Sequence, residues 1–190
     1  MKPLGERRDC GPKVIERLTP EEEMAVHEKS VELLNKAVAD ELFAVHQYMY
    51  FHFHCDDQGL DLLAGLFKRT AIEEMTHIER LAERILFLKG EVIVTAAGEV
   101  KTIQDVGKML EMAAGMETDS AKDYNKWANE CAANADSVSK KLFEDLVVDE
   151  ERHFDQYDTE LDNMGKYGEK YLALQSIERS KNRAAAAPAD

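Results

Sequence analysis

Leu63–Ile85 reads LAGLFKRTAIEEMTHIERLAERI, and its pattern decides the fold. Leu63, Phe67, Thr70, Glu74, His77, Leu81 and Ile85 recur in steps of three and four residues, the spacing of one face of an α-helix. Glu74 and His77 interrupt that stripe at its middle, where a packed helix needs apolar side chains. Three other stripes carry the same interruption. The first holds Leu34, Ala37, Val38, Glu41, Ala44, Val45 and Tyr48. The next holds Leu110, Ala113, Glu117, Ala121, Tyr124 and Ala128, and the last Leu142, Leu146, Glu150, His153, Tyr157 and Leu161. Each stripe has one glutamate, and two have a histidine three residues later.

Working outward, the breaks between the stripes set the architecture. Thr19 caps a helix that starts with Pro20 and the acids Glu21–Glu23 and runs to about Cys55. A turn at Asp56–Gly59 leads to a second helix, Leu60–Lys89, stopped by Gly90. Glu91–Lys101 is β-branched and contains glycine, which predicts an extended crossover. A third helix begins near Thr102 and ends near Asn134, and a fourth follows the turn at Ala135–Ser137 and ends about Met164. Tyr171–Glu178 forms a short amphipathic helix, and Ala184–Asp190 is low-complexity. The short, long, short order of connections predicts an all-α fold: a ferritin-like four-helix bundle with one long crossover and a short C-terminal fifth helix. The domain limits follow as an N-terminal extension over 1–22, the bundle domain over 23–178 and a tail over 179–190.

A buried carboxylate costs several kcal/mol unless it is paired or bound to a cation. Four at one depth would repel each other, and no Lys or Arg lies on these stripes to offset them. Two metal ions would. Carboxylate oxygens with one imidazole nitrogen per ion suit iron or manganese. One glutamate from each of two helices, with Glu-x-x-His on the other two, is the donor set of the dimetal carboxylate bundles.

Composition narrows the classes. Formal net charge is −14, so the surface repels nucleic acid and anionic membranes and attracts cations. No apolar run reaches the roughly 18 residues of a membrane span, and Met1–Pro20 lacks an apolar signal core, which places the expected location in the cytoplasm. The three cysteines, Cys10, Cys55 and Cys131, form no CxxC, which disfavours a rubrerythrin-type protein. Cys55 and Cys131 each fall 14 residues past their helix's glutamate on helices of opposite direction. They are thus expected roughly 40 Å apart, unable to bridge and remote from the metals. A catalytic dimetal enzyme without storage, such as a manganese catalase, is the main alternative class. A DNA-shielding mini-ferritin fits poorly with the acidic charge.

At this point the chain resembles the bacterioferritins. The glutamates are separated by 33, 43 and 33 residues, as in that family's ligand pattern. ELFAVHQY from Glu41, EEMTHIERLAERILFLKG from Glu73 and DEERHFDQYDTEL from Asp149 are similar to its helix motifs, and YLALQSI from Tyr171 to its fifth helix. The resemblance covers about residues 30–178. It implies that Glu41, Glu74 and His77 hold one iron, that Glu117, Glu150 and His153 hold the other, and that Glu74 and Glu150 bridge both. It implies a ferroxidase that takes Fe²⁺ and O₂ or peroxide as substrates, with Tyr48 beside the site. It further implies storage of ferric mineral in a hollow 24-subunit shell built from two-fold dimers, and a ferredoxin-type reductant for iron release.

Met75 lies about 100° around the helix from Glu74. Its face includes Ala71, Ile72, Ile78, Ala82 and Leu86, a second apolar stripe that suggests a subunit interface. The resemblance implies that Met75 is an axial ligand of a haem shared between two subunits. It also implies an inner-surface iron site, but the matching positions hold Arg69 and Glu73, and the arginine departs from the pattern. His46, His52 and His54 read as surface or interface residues, and His27 carries no signal.

Overall fold

A computed structural model describes residues 20–186. Among them the chain forms five helices and no strand: α1 (Pro20–Asp57), α2 (Asp61–Phe87), α3 (Val106–Ala133), α4 (Ser137–Tyr167) and α5 (Glu169–Ala186). Thr19 and Cys10 lie outside the described residues. No described helix is long and apolar enough to cross a membrane.

α1 packs along α2 and α3 along α4, giving two hairpins laid side by side. The link between them is pinned to α1 at three levels. Asn35 donates through Nδ2 to Glu91 O at 2.9 Å and accepts from Ile93 N at 2.8 Å. Ala97 N donates to Ala39 O at 2.9 Å. Gln47 accepts from Lys101 N at 2.7 Å and donates to Lys101 O at 3.0 Å. The connection therefore climbs α1 in α1's own direction and returns the chain to the end at which α2 began. α3 consequently runs parallel to α2 and antiparallel to α1, as the loop pattern predicts.

Local chemistry sets the ends. Leu88 N and Gly90 N donate back to Arg84 O and Ile85 O at 3.1 and 2.9 Å, with Lys89 at φ 64°. Gly90 then passes so close to α1 that a Cβ would lie 2.6 Å from Cγ1 of Val31. α3 starts at Val106 rather than near Thr102, because the Asp105 side chain accepts from Lys108 N at 2.9 Å and so supplies the N-cap. Asp136 caps α4 by accepting from Ser139 N at 3.0 Å and also pairs with Arg84 at 2.7 Å. α4 continues through Gly165 to Tyr167 and ends at Gly168, whose φ of 58° suits glycine. α5 extends to Ala186, well past Glu178, since Arg179–Ala186 contains no helix breaker. It docks through Gln175, which is buried and accepts from Leu63 N at 3.4 Å, and through Arg179, whose guanidinium lies 3.0 Å from Asp61.

The interior divides into two apolar clusters. One gathers Tyr48, Phe51, Leu63, Phe67, Met109 and Tyr157 towards the α1–α2 turn. The other gathers Leu33, Leu34, Leu81, Ile85, Trp127 and Phe143 towards the opposite end. Cys55 belongs to the first and Cys131 to the second, and both are buried free thiols. Between the clusters lies a band of acidic and imidazole side chains.

Candidate metal centre

Glu41, Glu74, His77, Glu117, Glu150 and His153 all meet in that band, each no more than 2% exposed. They come from four helices, one glutamate from each, and the 33-residue spacing within each hairpin puts its two glutamates at one depth. Two overlapping groups result. Glu41, Glu74, His77 and Glu150 each offer an atom within 4.8 Å of the others, and so do Glu74, Glu117, Glu150 and His153. Glu74 and Glu150 are common to both groups. Nδ1 of His77 lies 2.8 Å from Glu74, 3.2 Å from Glu41 and 3.3 Å from Glu150. Nδ1 of His153 lies 3.1 Å from Glu74 and 3.7 Å from Glu117.

The electrostatics are those of a site built for cations. Burial, and then the charge of Glu74, raises the Glu41 carboxyl above the usual range. Glu150 is raised by burial and then by Glu41 and Glu74. Burial opposes ionisation of Glu74 as well, yet the His153 and His77 imidazoles beside it outweigh that and hold the carboxyl low. Both imidazoles are shifted upward: burial disfavours their charge, but the surrounding carboxylates favour it more. Both oxygens of Glu74, Oε1 of Glu150 and Nδ1 of His153 are buried without a hydrogen bond. Such orphaned atoms are costly and rare, and atoms that converge on one place as these do are what a metal ion satisfies. The donor chemistry, carboxylate-rich with one imidazole per position, fits iron or manganese.

Tyr48 sits where expected, fully buried, its hydroxyl donating to Glu117 Oε1. The structure adds contacts that the sequence reading does not assign. Tyr124 OH donates to Glu41 Oε1 at 2.7 Å. His77 Nε2 lies 3.3 Å from Asp149 Oδ2, and His153 Nε2 lies 2.6 Å from Glu73 Oε2. Arg152 ties those two acids together, at 2.9 Å to Glu73 and 3.1 Å to Asp149. One signal was present in the chain: Tyr124 follows Glu117 by seven residues, as Tyr48 follows Glu41. Glu73 and Asp149 likewise each precede by one a glutamate common to both groups.

A cleft between α1 and α3, about 160 Å³ in volume, leads from Asp40, Asp119 and Asp123 at its rim to Tyr48, Glu117 and Glu150. Burial, and then the nearby Asp123, push Asp40 up to about 6. On the other side of the bundle a cavity of about 550 Å³ is lined by Arg69, Glu73, Asp155 and Glu160. There Glu73 is already engaged by His153 and Arg152.

Met75 points away from the centre and is 56% exposed, on a helix face that also exposes Ile72 and, about three turns on, Leu86. Ala71 is buried and Ile78 packs against the core, so the outward stripe is narrower than the sequence pattern suggests. His46 is exposed; His52 and His54 are half-buried, His52 Nδ1 lying 2.8 Å from Ala64 O and the His54 ring 4.3 Å from that of Tyr50 at a tilt of 49°.

The ferritin-like domain family matches residues 31–166. Bacterioferritin from Desulfovibrio desulfuricans is 38% identical over 145 residues, which is 76% of this chain and 81% of that protein. Bacterioferritin from Brucella melitensis is 36% identical over 142 residues, 75% of this chain and 88% of that protein. A crystal structure of the Desulfovibrio desulfuricans bacterioferritin, with its diiron site in different catalytic states, superposes with a TM-score of 0.80 at 36% identity, covering 81% of this chain and 90% of that one.

Proposed function

The chain belongs to the bacterioferritin family, and from that premise we propose that it is an iron-storage ferroxidase. It oxidises Fe²⁺ to Fe³⁺ with O₂ or peroxide at a centre inside each subunit, and it stores the ferric product as mineral within a hollow 24-subunit shell. The observation that carries this reading is the pair of overlapping donor groups sharing Glu74 and Glu150 between two apolar clusters.

In this reading Glu41 and His77 belong to one metal position and Glu117 and His153 to the other, with Glu74 and Glu150 spanning both. Two Fe²⁺ ions held there as substrate would supply one electron each to the oxidant. The protein's own share is positional and electrostatic. Burial, and then the neighbouring carboxylates, favour the protonated forms of Glu41 and Glu150, and an arriving cation would favour their ionised forms. Ionised, the four carboxylates favour the more highly charged ferric product over the ferrous substrate. The cleft with Asp40, Asp119 and Asp123 at its rim supplies a cation path from outside. The two aromatic and aliphatic clusters keep bulk water from the centre on both sides along the bundle axis.

Met75 would hold a haem between two subunits. An exposed thioether among Ile72, Leu86 and half-buried Ala82 offers half of a bis-thioether site, and the apolar rim suits a porphyrin face. Haem there would supply an electron path between the interior and a reductant of the ferredoxin type during iron release.

Glu74→Ala and Glu150→Ala test the reading. Each removes a carboxylate shared by both positions. Stopped-flow measurement of Fe²⁺ oxidation should show the rapid phase abolished in both variants while the assembly stays intact by light scattering. Wild-type kinetics in either variant would rule the centre out.

A further inference from the structure

We propose that Tyr124 is a positioning residue of the metal centre, the counterpart on α3 of Tyr48 on α1. The two phenols make the centre a pair of matched half-sites, each tying the terminal glutamate of the opposite hairpin. The inference rests on the metal-centre reading above.

Tyr48 follows Glu41, and Tyr124 follows Glu117, by seven residues, two helical turns, so each tyrosine shares a face with the glutamate before it. Because α1 and α3 are antiparallel, each tyrosine comes level with the other helix's glutamate and bonds to that one. Tyr124 OH donates to Glu41 at 2.7 Å, and Tyr48 OH donates to Glu117. Both tyrosines are fully buried. Tyr124 is wedged against Trp127 and Phe143, with ring centroids 5.5 and 5.8 Å away, and Tyr48 against Tyr157 and Phe67, at 5.6 and 6.2 Å. Neither phenol can swing off its carboxylate without disturbing those rings.

The histidines repeat the same crossing. The acid before the shared glutamate on one helix faces Nε2 of the histidine on the other: Asp149 with His77 at 3.3 Å, Glu73 with His153 at 2.6 Å. Exchanging the hairpins thus exchanges Glu41 with Glu117, His77 with His153, Tyr124 with Tyr48 and Asp149 with Glu73. A phenol that donates to a carboxylate fixes the carboxylate's rotation and disperses its charge, which holds it ready as a terminal ligand. Tyr124 does this for the position of Glu41 and His77, and Tyr48 for the position of Glu117 and His153.

The test isolates each half-site in the full chain with Co²⁺ alone as the probe, followed by visible absorption and calorimetry. His153→Ala leaves the position of Glu41 and His77; His77→Ala leaves the other. In the His153→Ala background, Tyr124→Phe should weaken the remaining Co²⁺ by about tenfold to a hundredfold, the range for losing an outer hydrogen bond to a ligand, and Tyr48→Phe should leave it near its parent. In the His77→Ala background the order should reverse. A general loss of packing would move both backgrounds alike and would overturn the assignment, as would an unchanged affinity in Tyr124→Phe. Native chain that bound no Co²⁺ would instead overturn the metal-centre reading on which the inference rests.

Discussion

Met75 sits one residue from Glu74, yet the two have opposite surroundings: Glu74 is fully buried and Met75 is 56% exposed. A 100° step around the helix is enough to place one side chain in the centre and the other on the outer surface. Met75→Leu keeps apolar volume and removes the sulfur. Purified wild-type protein should show a Soret band with one haem per two chains, and the variant should lose the band while keeping its assembly; haem retained in the variant would point to another ligand. The glutamates and histidines of the centre were legible in the chain because a charge on an apolar stripe has a high desolvation cost, so its presence calls for a partner. Asp149, Glu73 and Arg152 were not legible in the same way. They lie on partly exposed faces where acids and arginines are ordinary, and only the approach of α2 to α4 brings them onto the histidines. Tyr124 was visible as a stripe residue, but its hydrogen bond depends on the antiparallel crossing of α1 and α3.

The helices themselves were read closely where a strong signal ends them and less well where signals compete. Gly90 is the strong case. Its place against Val31 leaves no room for a methyl group, with contacts of 2.6 and 2.7 Å to both Val31 methyls. Gly90→Ala should therefore lower stability by about 1–3 kcal/mol. The check is chemical denaturation, and an unchanged midpoint would show that α1 can shift aside. The start of α3 is the competing case. Thr102 and Asp105 are both good caps, and Asp105 wins because its carboxylate reaches Lys108 N at 2.9 Å. The end of α5 was read too early, since alanine-rich sequence after Arg179 looks featureless but favours helix strongly.

For the molecule as a whole, Leu62, Ile72, Met75, Leu86 and Phe87 on α2, and Leu174 and Ile177 on α5, present apolar side chains outward, surface that contacts between subunits would bury. Analytical ultracentrifugation should accordingly find a closed 24-subunit species; a monomer at micromolar concentration would sink the shell reading. The order of helices, the crossover and the separation of Cys55 from Cys131 were all readable beforehand, because the loop lengths fix the directions of the helices and the directions fix the rest.

That separation has a bearing on durability. Thiolates are the form of cysteine that oxidants attack and that scavenges metal ions. Here burial lifts the Cys55 thiol to about 12 and the Cys131 thiol to about 11, and neither sulfur touches the carboxylate band. Both sulfurs thus stay protonated and out of reach. A protein that handles iron would otherwise put these two thiols at risk of oxidation, and the bundle keeps Cys55 and Cys131 sealed towards its two ends.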